Sequence, residues 1–227
     1  MPAPRQTKPR ERLKRDDLAA GALALADREG LEAVTIRRLA ADNMVTPMAL
    51  YWHFSDKDAL FDAIAERIYA EITLPALPEA GGLAWHEDLH AVLTAALDAL
   101  RAHPLAVMIV APAIMKSEAG LELAERTIGL LRAAGFSAAS AAQTGMFLLC
   151  SLVNLVDIEP GSDRRLDSDT QAAHLRSKRA QLESLDPKRF ASVLETAEFF
   201  LFCPSEDEYF SRGIDFLVAG AQGTLPA

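Results

Sequence analysis

The sequence predicts an all-α protein, and three observations carry that prediction. Ala, Leu, Glu and Arg abound while aromatics make up only 7% of the chain and alternating runs of Thr, Val or Ile are few, a balance that favours helix over strand. Apolar residues recur at three- and four-residue spacing along most of the length. Ser, Thr, Asp and Gly stand where those periods begin and end, as helix caps do. At 227 residues, half of them apolar and 24% charged, the chain is long enough for one large domain or two small ones and too apolar for wholesale disorder.

Residues 1–15 hold three prolines and no apolar period, and read as a mobile arm. The first helix begins at Asp16, with Asp16 and Asp17 in its first turn, apolar residues at 18, 22, 25 and 26 on one face, and Gly30 as its C-terminal cap. Thr35 N-caps a short second helix that carries Ile36, Leu39 and Ala40 and ends near Asn43. Thr46, followed by Pro47 at the first helical position, opens a third that runs to about Phe54. Ser55, with Asp58 three residues on, opens a fourth, and apolar residues at 60, 61, 64, 65, 68 and 72 carry it to Pro75.

Pro75, Pro78, Gly81 and Gly82 form a linker. Beyond it the spacing predicts helices over 84–102, 104–116 (strained by Pro112), 118–134 closed by Gly135, and 137–157. The last is apolar nearly all round, which implies burial on several sides. Residues 158–170 read as a polar loop, followed by a weaker helical stretch to about 184, and the region is a candidate for disorder. Asp186 and Pro187 start a helix to about Phe202; Ser205 with Glu208 caps the last one, whose face of Phe210, Ile214, Leu217, Val218 and Ala221 is apolar. The expected organisation is an arm over 1–15, a three-helix unit with its connecting helix over 16–72, and a larger helical unit over 73–227.

The net charge of −9 is unevenly spread. Residues 1–15 carry six Lys or Arg against Glu11 alone, a basic arm on an acidic body, so the overall sign does not exclude a nucleic-acid partner. Cys150 and Cys203 have no framework or metal-knuckle spacing and read as reduced, buried thiols. Leu18–Ala26 imitates a signal peptide, but Asp16 and Asp17 interrupt the junction and the segment reads better as a packed helix. No uninterrupted apolar run reaches the ~18 residues of a membrane span, so a cytoplasmic protein without membrane contact is expected.

Helices two and three, joined through Asn43, Met44 and Val45, have the size and spacing of a helix-turn-helix, whose second helix enters the DNA major groove. Tyr51, Trp52 and His53 in succession cannot all face inward, so at least two are exposed. At these residues the chain resembles the TetR family of one-component transcriptional regulators. The likeness runs through Val34-Thr35-Ile36-Arg37-Arg38-Leu39-Ala40, Ala49-Leu50-Tyr51-Trp52-His53-Phe54 and Lys57-Asp58-Ala59-Leu60, with the Tyr-Trp-His triplet and Lys57 closest to the tetracycline repressor subgroup. It continues more faintly through Trp85, Arg101-Ala102-His103-Pro104, Ala134-Gly135-Phe136-Ser137 and the Phe210–Ala221 helix. The resemblance implies an all-helical homodimer: a ligand-responsive repressor of a palindromic DNA operator, released by a small, largely apolar effector.

Residue chemistry agrees with that implication. Tyr51, His53 and Lys57 suit phosphate oxygens, as does Thr35 at a helix start. Arg37 suits bidentate reading of guanine, and Thr46, Pro47, Met48, Ala49 and Trp52 are left to face the groove, where apolar side chains favour thymine methyls. The family usually has Gly where Met44 stands, so a left-handed turn must fall on Asn43 or on a strained Met44. In the tetracycline repressor subgroup a helix-six histidine holds a magnesium–drug chelate; the matching position here is Val110, so no metal and no cofactor are expected, while Asp157 falls near that subgroup's acidic position. The resemblance places the effector among Leu97, Met108, Met115, Phe147, Cys150 and Asn154, and the dimer contact on 145–156 and 210–221, with Gly213 and Gly220 permitting close approach.

Two alternatives stand beside this reading. His86-Glu87-Asp88-Leu89-His90 satisfies H-E-x-x-H, the spacing of a zinc hydrolase, though an open tetrahedral site needs a third ligand and the motif lies in the first turn after a linker. An all-helical ligand-binding or scaffold protein with a vestigial helix-turn-helix is the other. No serine stands in a nucleophile-elbow setting, so no catalytic residue is assigned.

Overall fold

The computed structural model describes residues 14–76, 85–158, 167–201 and 205–225. Among them every regular element is helical: α1 Arg15–Glu29, α2 Ile36–Asp42, α3 Pro47–Tyr51, α4 Lys57–Ala70, α5 Trp85–Ala102, α6 Val110–Ala113, α7 Glu118–Ala133, α8 Ala138–Asp157, α9 Ser168–Glu183, α10 Ala191–Glu195, α11 Ala197–Leu201 and α12 Glu206–Gly223.

The predicted caps form where side chain and backbone are close in sequence. The hydroxyls of Thr35, Thr46 and Ser205 accept hydrogen bonds from the N–H groups of Arg38, Ala49 and Glu208, and Ser137, not singled out as a cap in the sequence, accepts from the Ser140 N–H. α4 departs from the expectation: Asp56, not Ser55, is its N-cap, accepting from the Ala59 N–H at 2.7 Å, while the Ser55 hydroxyl donates to Asp56. A carboxylate outcompetes a hydroxyl for the positive end of a helix. α4 also stops at Ala70 rather than at Pro75, and the chain over 72–76 takes no regular structure.

Elsewhere the expected bounds shift. α1 takes in Arg15, whose guanidinium lies 5.5 Å from the Phe54 ring centroid and 3.3 Å from the Glu66 carboxylate, so Arg15 belongs to the folded body; residues 1–13 lie outside the described residues. α3 ends at Tyr51, with Trp52 as its C-cap. The helix expected over 104–116 is α6 flanked by 3-10 turns at Val107–Ile109 and Ile114–Lys116, as Pro112, lacking an N–H, dictates. α9 starts at Ser168 behind Asp167, inside the predicted loop; residues 159–166 are not described. The helix expected from Asp186 is a turn followed by α10 and α11, which part at Thr196, whose hydroxyl donates back to the Ser192 carbonyl.

α4 packs on α1 and also on α5, α6 and α7, making one continuous apolar core from Leu18 to Ala221. The Leu18–Ala26 stretch supplies Leu18, Ala22, Leu25 and Ala26 to it. α5 lies against α7, α8 and α12. Trp85 at its head meets Phe136 edge-on at 6.0 Å, and Arg101 near its end lies over the Phe210 ring at 4.3 Å.

α8 corrects the expectation of burial on several sides and that of a buried Cys150. It is long and apolar enough by composition to cross a membrane, and only a third of its apolar window is buried within the chain. Leu148, Leu152 and Val156 face inward, whereas Phe147 is 70% exposed. The Cys150 thiol is exposed rather than buried, and Cys203 lies outside the described residues. Gly213 allows a close approach within the chain: a Cβ there would stand 2.9 Å from the Leu155 methyls, while no described residue comes within 4 Å of a Cβ on Gly220.

Candidate functional site

The turn between α2 and α3 is built by a Schellman motif. The Met44 N–H donates to the Ala41 carbonyl at 3.0 Å and the Val45 N–H to the Ala40 carbonyl at 2.9 Å, so the residue after the α2 C-cap must take the left-handed conformation. That residue is Met44, at φ +53°, and Asn43 stays at φ −93° with its side-chain amide donating to the Leu39 carbonyl. The identical hydrogen-bond pattern closes α7, where Gly135 carries the positive φ. The left-handed residue of the helix-turn-helix is thus the methionine.

Leu50 and Phe54 are buried and fix α3 on the small core. Its outward side chains are then decided by helix geometry: Met48 is 68% exposed and Trp52 86%, four residues apart and on one face. Tyr51 is exposed, His53 half-buried, and Thr46 and Pro47 are exposed at the α3 start with Ala49 partly covered. Lys57 begins α4 with its ammonium 4.9 Å from the Phe61 ring centroid, which holds an otherwise loose side chain near the motif. The two arginines of α2 differ. Arg38 is held by both carboxylate oxygens of Glu29, at 2.8 and 3.0 Å, and by Asp42 at 3.2 Å; Arg37 is exposed with no ion pair to another described residue. Only Arg37 is in a position to offer its guanidinium outward.

A second concavity lies between α4, α5, α6, α7 and α8, a cavity of about 500 Å³. Met115 and Cys150 line it. The other positions assigned to the effector lie elsewhere: Leu97 is buried in the core, Met108 is half-exposed, and Phe147 and Asn154 face outward from α8. The lining comes instead from residues the sequence did not single out, among them Tyr69, Leu100, Ile114, Met146 and Leu149, together with Val110.

Tyr69 is the polar feature of this wall. Its hydroxyl donates to the Val110 carbonyl at 2.7 Å, joining the end of α4 to α6. Burial, and then the nearby Cys150 thiol, push the hydroxyl above its ordinary pKa, so it remains a donor. Among the described residues no imidazole or carboxylate lines the cavity, and Val110 stands buried where the resemblance would require a metal-binding histidine. These residues do not fit a magnesium chelate. Asp157 is the half-buried last residue of α8 and is not among the lining residues.

The His86–His90 motif sits on the first turn of α5 in a groove shared with α12. His90 is engaged there by the Asp215 carboxylate at 3.3 Å and the Thr94 hydroxyl at 3.4 Å. Among the described residues no group of three His, Cys, Asp or Glu is arranged to hold a metal ion.

Known proteins share both halves of this arrangement. The profile of bacterial regulatory proteins of the tetR family matches residues 18–64, and that of the tetracyclin repressor-like C-terminal domain matches 75–225. An HTH-type transcriptional regulator of Saccharopolyspora erythraea is 26% identical over 223 residues, 97% of this chain and 89% of that protein. The class A tetracycline repressor protein of Escherichia coli, from transposon 1721, is 32% identical over 152 residues, 67% of this chain and 69% of the repressor. Among solved structures, Streptomyces coelicolor ActR in complex with actinorhodin superposes with a TM-score of 0.77 at 25% identity, covering 95% of this chain and all of that one. BioQ with its double-stranded DNA operator superposes with a TM-score of 0.61 at 25% identity, covering 93% and 99%.

Proposed function

The chain belongs to the TetR family of bacterial regulatory proteins, and from that premise we propose that it is a repressor that grips a palindromic operator as a homodimer and releases it when an apolar effector fills the cavity. Members of the family are ligand-responsive, non-enzymatic DNA-binding regulators, so the His86–His90 spacing is a surface coincidence rather than a hydrolase centre. The observation that carries the reading is the exposed stripe of Met48 and Trp52 on a doubly capped helix-turn-helix whose connecting helix, α4, is hydrogen-bonded through Tyr69 to the cavity wall.

Residues 16–72 are assigned to DNA binding and 73–227 to sensing and dimerisation. Thr35, Tyr51, His53 and Lys57 take phosphates, Arg37 a guanine edge, and Thr46, Pro47, Met48, Ala49 and Trp52 the groove floor. The cavity, apolar and of about 500 Å³, suits an uncharged ligand of drug size. A twofold bundle of α8 and α12 would cover Phe147 and Phe216. A DNA partner places the working protein in the cytoplasm.

Selection of bound duplexes from a random DNA pool tests the reading. Enrichment of a palindrome with half-site centres one helical turn, about 34 Å, apart is expected; recovery of salt-sensitive binders with no common sequence would overturn it.

A further inference from the structure

Two carboxylates from the DNA-binding half converge on one imidazole from the sensing half. His103 follows α5 in a turn fixed by its own backbone, its N–H donating to the Leu100 carbonyl and its carbonyl accepting from Ala106. The ring is nearly buried, with 12% of the side chain exposed. Its Nδ1 lies 3.0 Å from both carboxylate oxygens of Asp27, in the last turns of α1, and its Nε2 lies 2.8 Å from Oε2 of Glu71, the C-cap of α4.

A neutral imidazole has one N–H and one lone pair, so between two carboxylates it leaves one oxygen facing a lone pair; only the imidazolium donates at both ends. The cations nearby do not substitute for it. Arg28 of α1 donates to the Ala24 carbonyl, Arg101 of α5 pairs with Asp207 and Asp98, and Arg67 of α4 makes no bond to the ring. Asp27 and Glu71 are the charged groups that face it.

We infer that His103 in its protonated form is a positioning residue, which clamps the C-terminal ends of α1 and α4 to the end of α5 and so sets where each recognition helix is carried. The inference rests on the assignment of 16–72 to DNA binding. Partial burial works against the charged ring, and the hydrogen bonds to Glu71 and Asp27 with their charges outweigh it, so the group titrates above the ordinary 6.5. A raised histidine pKa means that the clamp is complete below about 6.5 and is lost as pH rises through the folded-state value. α1 and α4 are the two helices that carry the helix-turn-helix, so a change in their tilt moves Trp52 relative to its twofold mate.

Amide hydrogen exchange in the full chain, over residues 24–29 and 66–72 from about pH 6 to about pH 9 and normalised for intrinsic rates, tests the clamp. Wild-type protection is expected to fall roughly tenfold as the ring loses its proton, while His103→Gln is poorly protected and flat across the range. His103→Lys, which keeps a cation, holds its protection at the alkaline end. Superimposable wild-type and His103→Gln profiles would overturn the clamp, and a Lys variant as unprotected as the Gln variant would overturn its need for charge.

A second arm uses the duplex the protein itself selects. His103→Gln should lose roughly tenfold of the wild-type discrimination against an operator lengthened by one base pair between half-sites, with affinity for a single half-site unchanged; undiminished discrimination overturns the positioning role. Failure to select any duplex would sink the DNA-binding assignment instead, and the exchange profiles would still decide the clamp.

Discussion

Met44 pays for the turn with its own backbone. Left-handed φ costs an L-residue about 1–2 kcal/mol, and glycine's extra freedom in the unfolded chain costs about 0.5–1 kcal/mol. Met44→Gly is therefore expected to stabilise the protein by about 0.5–1 kcal/mol in urea unfolding, because the Schellman hydrogen bonds stay and the strain goes. A destabilised variant would show that the methionine side chain contributes more than its backbone costs. The residues proposed to face DNA separate by charge in the same way. Lys57→Ala should weaken operator binding and lower the slope of log affinity against log salt by about one, since one phosphate contact goes. Tyr51→Phe, which removes a neutral hydroxyl, should weaken binding with no change of slope; equal slopes for wild type and Lys57→Ala would remove Lys57 from the interface.

Within elements, glycines that look alike in sequence are constrained by different neighbours. A Cβ on Gly120, in the first turn of α7, would stand 2.5 Å from the Ile114 carbonyl oxygen, backbone of the segment that lines the cavity; on Gly129 of the same helix it would meet no described residue within 4 Å. Gly129→Ala should gain up to about 1 kcal/mol from helix propensity. Gly120→Ala should lose about 1–3 kcal/mol by overpacking and shift the 3-10 turn at Ile114–Lys116. Thermal unfolding of the pair checks both, and equal effects would show that the Ile114 turn yields freely. The contrast also explains what could be read from sequence. Thr35, Thr46 and Ser205 were legible as caps because a cap is a contact within a few residues, and the exposed Tyr51-Trp52 pair because a short helix cannot bury three successive large side chains. Asp56 was missed because Ser55 presented an equally regular spacing, and the choice fell to the stronger acceptor. The cavity depends on how five helices meet: Tyr69 gave no local signal, whereas Phe147, apolar and on the right helix, faces away from it.

For the whole molecule the unresolved force is the apolar surface that one chain leaves uncovered. α8 turns Phe147 outward at 70% exposure and α12 turns Phe216 outward at 71%, while Leu148 and Val218 on the same helices are buried within the chain. Two aromatics of that size in water forfeit about 1.5–3 kcal/mol each, and a twofold axis doubles whatever contact covers them. The proposed second copy would cover it, because two helices packed side by side in one chain become a four-helix bundle when rotated onto themselves, with no new element required. Phe147→Glu together with Phe216→Glu would place carboxylates at that seam, where an unpaired buried charge costs several kcal/mol. The doubly substituted chain should keep its helical content and thermal transition as a monomer, because neither side chain supports the core of a single copy. It should also lose operator affinity steeply, since each half-site would then be held alone by a recognition helix of five residues. Sedimentation equilibrium at micromolar concentration decides the point: a wild-type dimer and a folded monomeric variant are expected, and a variant that remains dimeric would move the interface off α8 and α12.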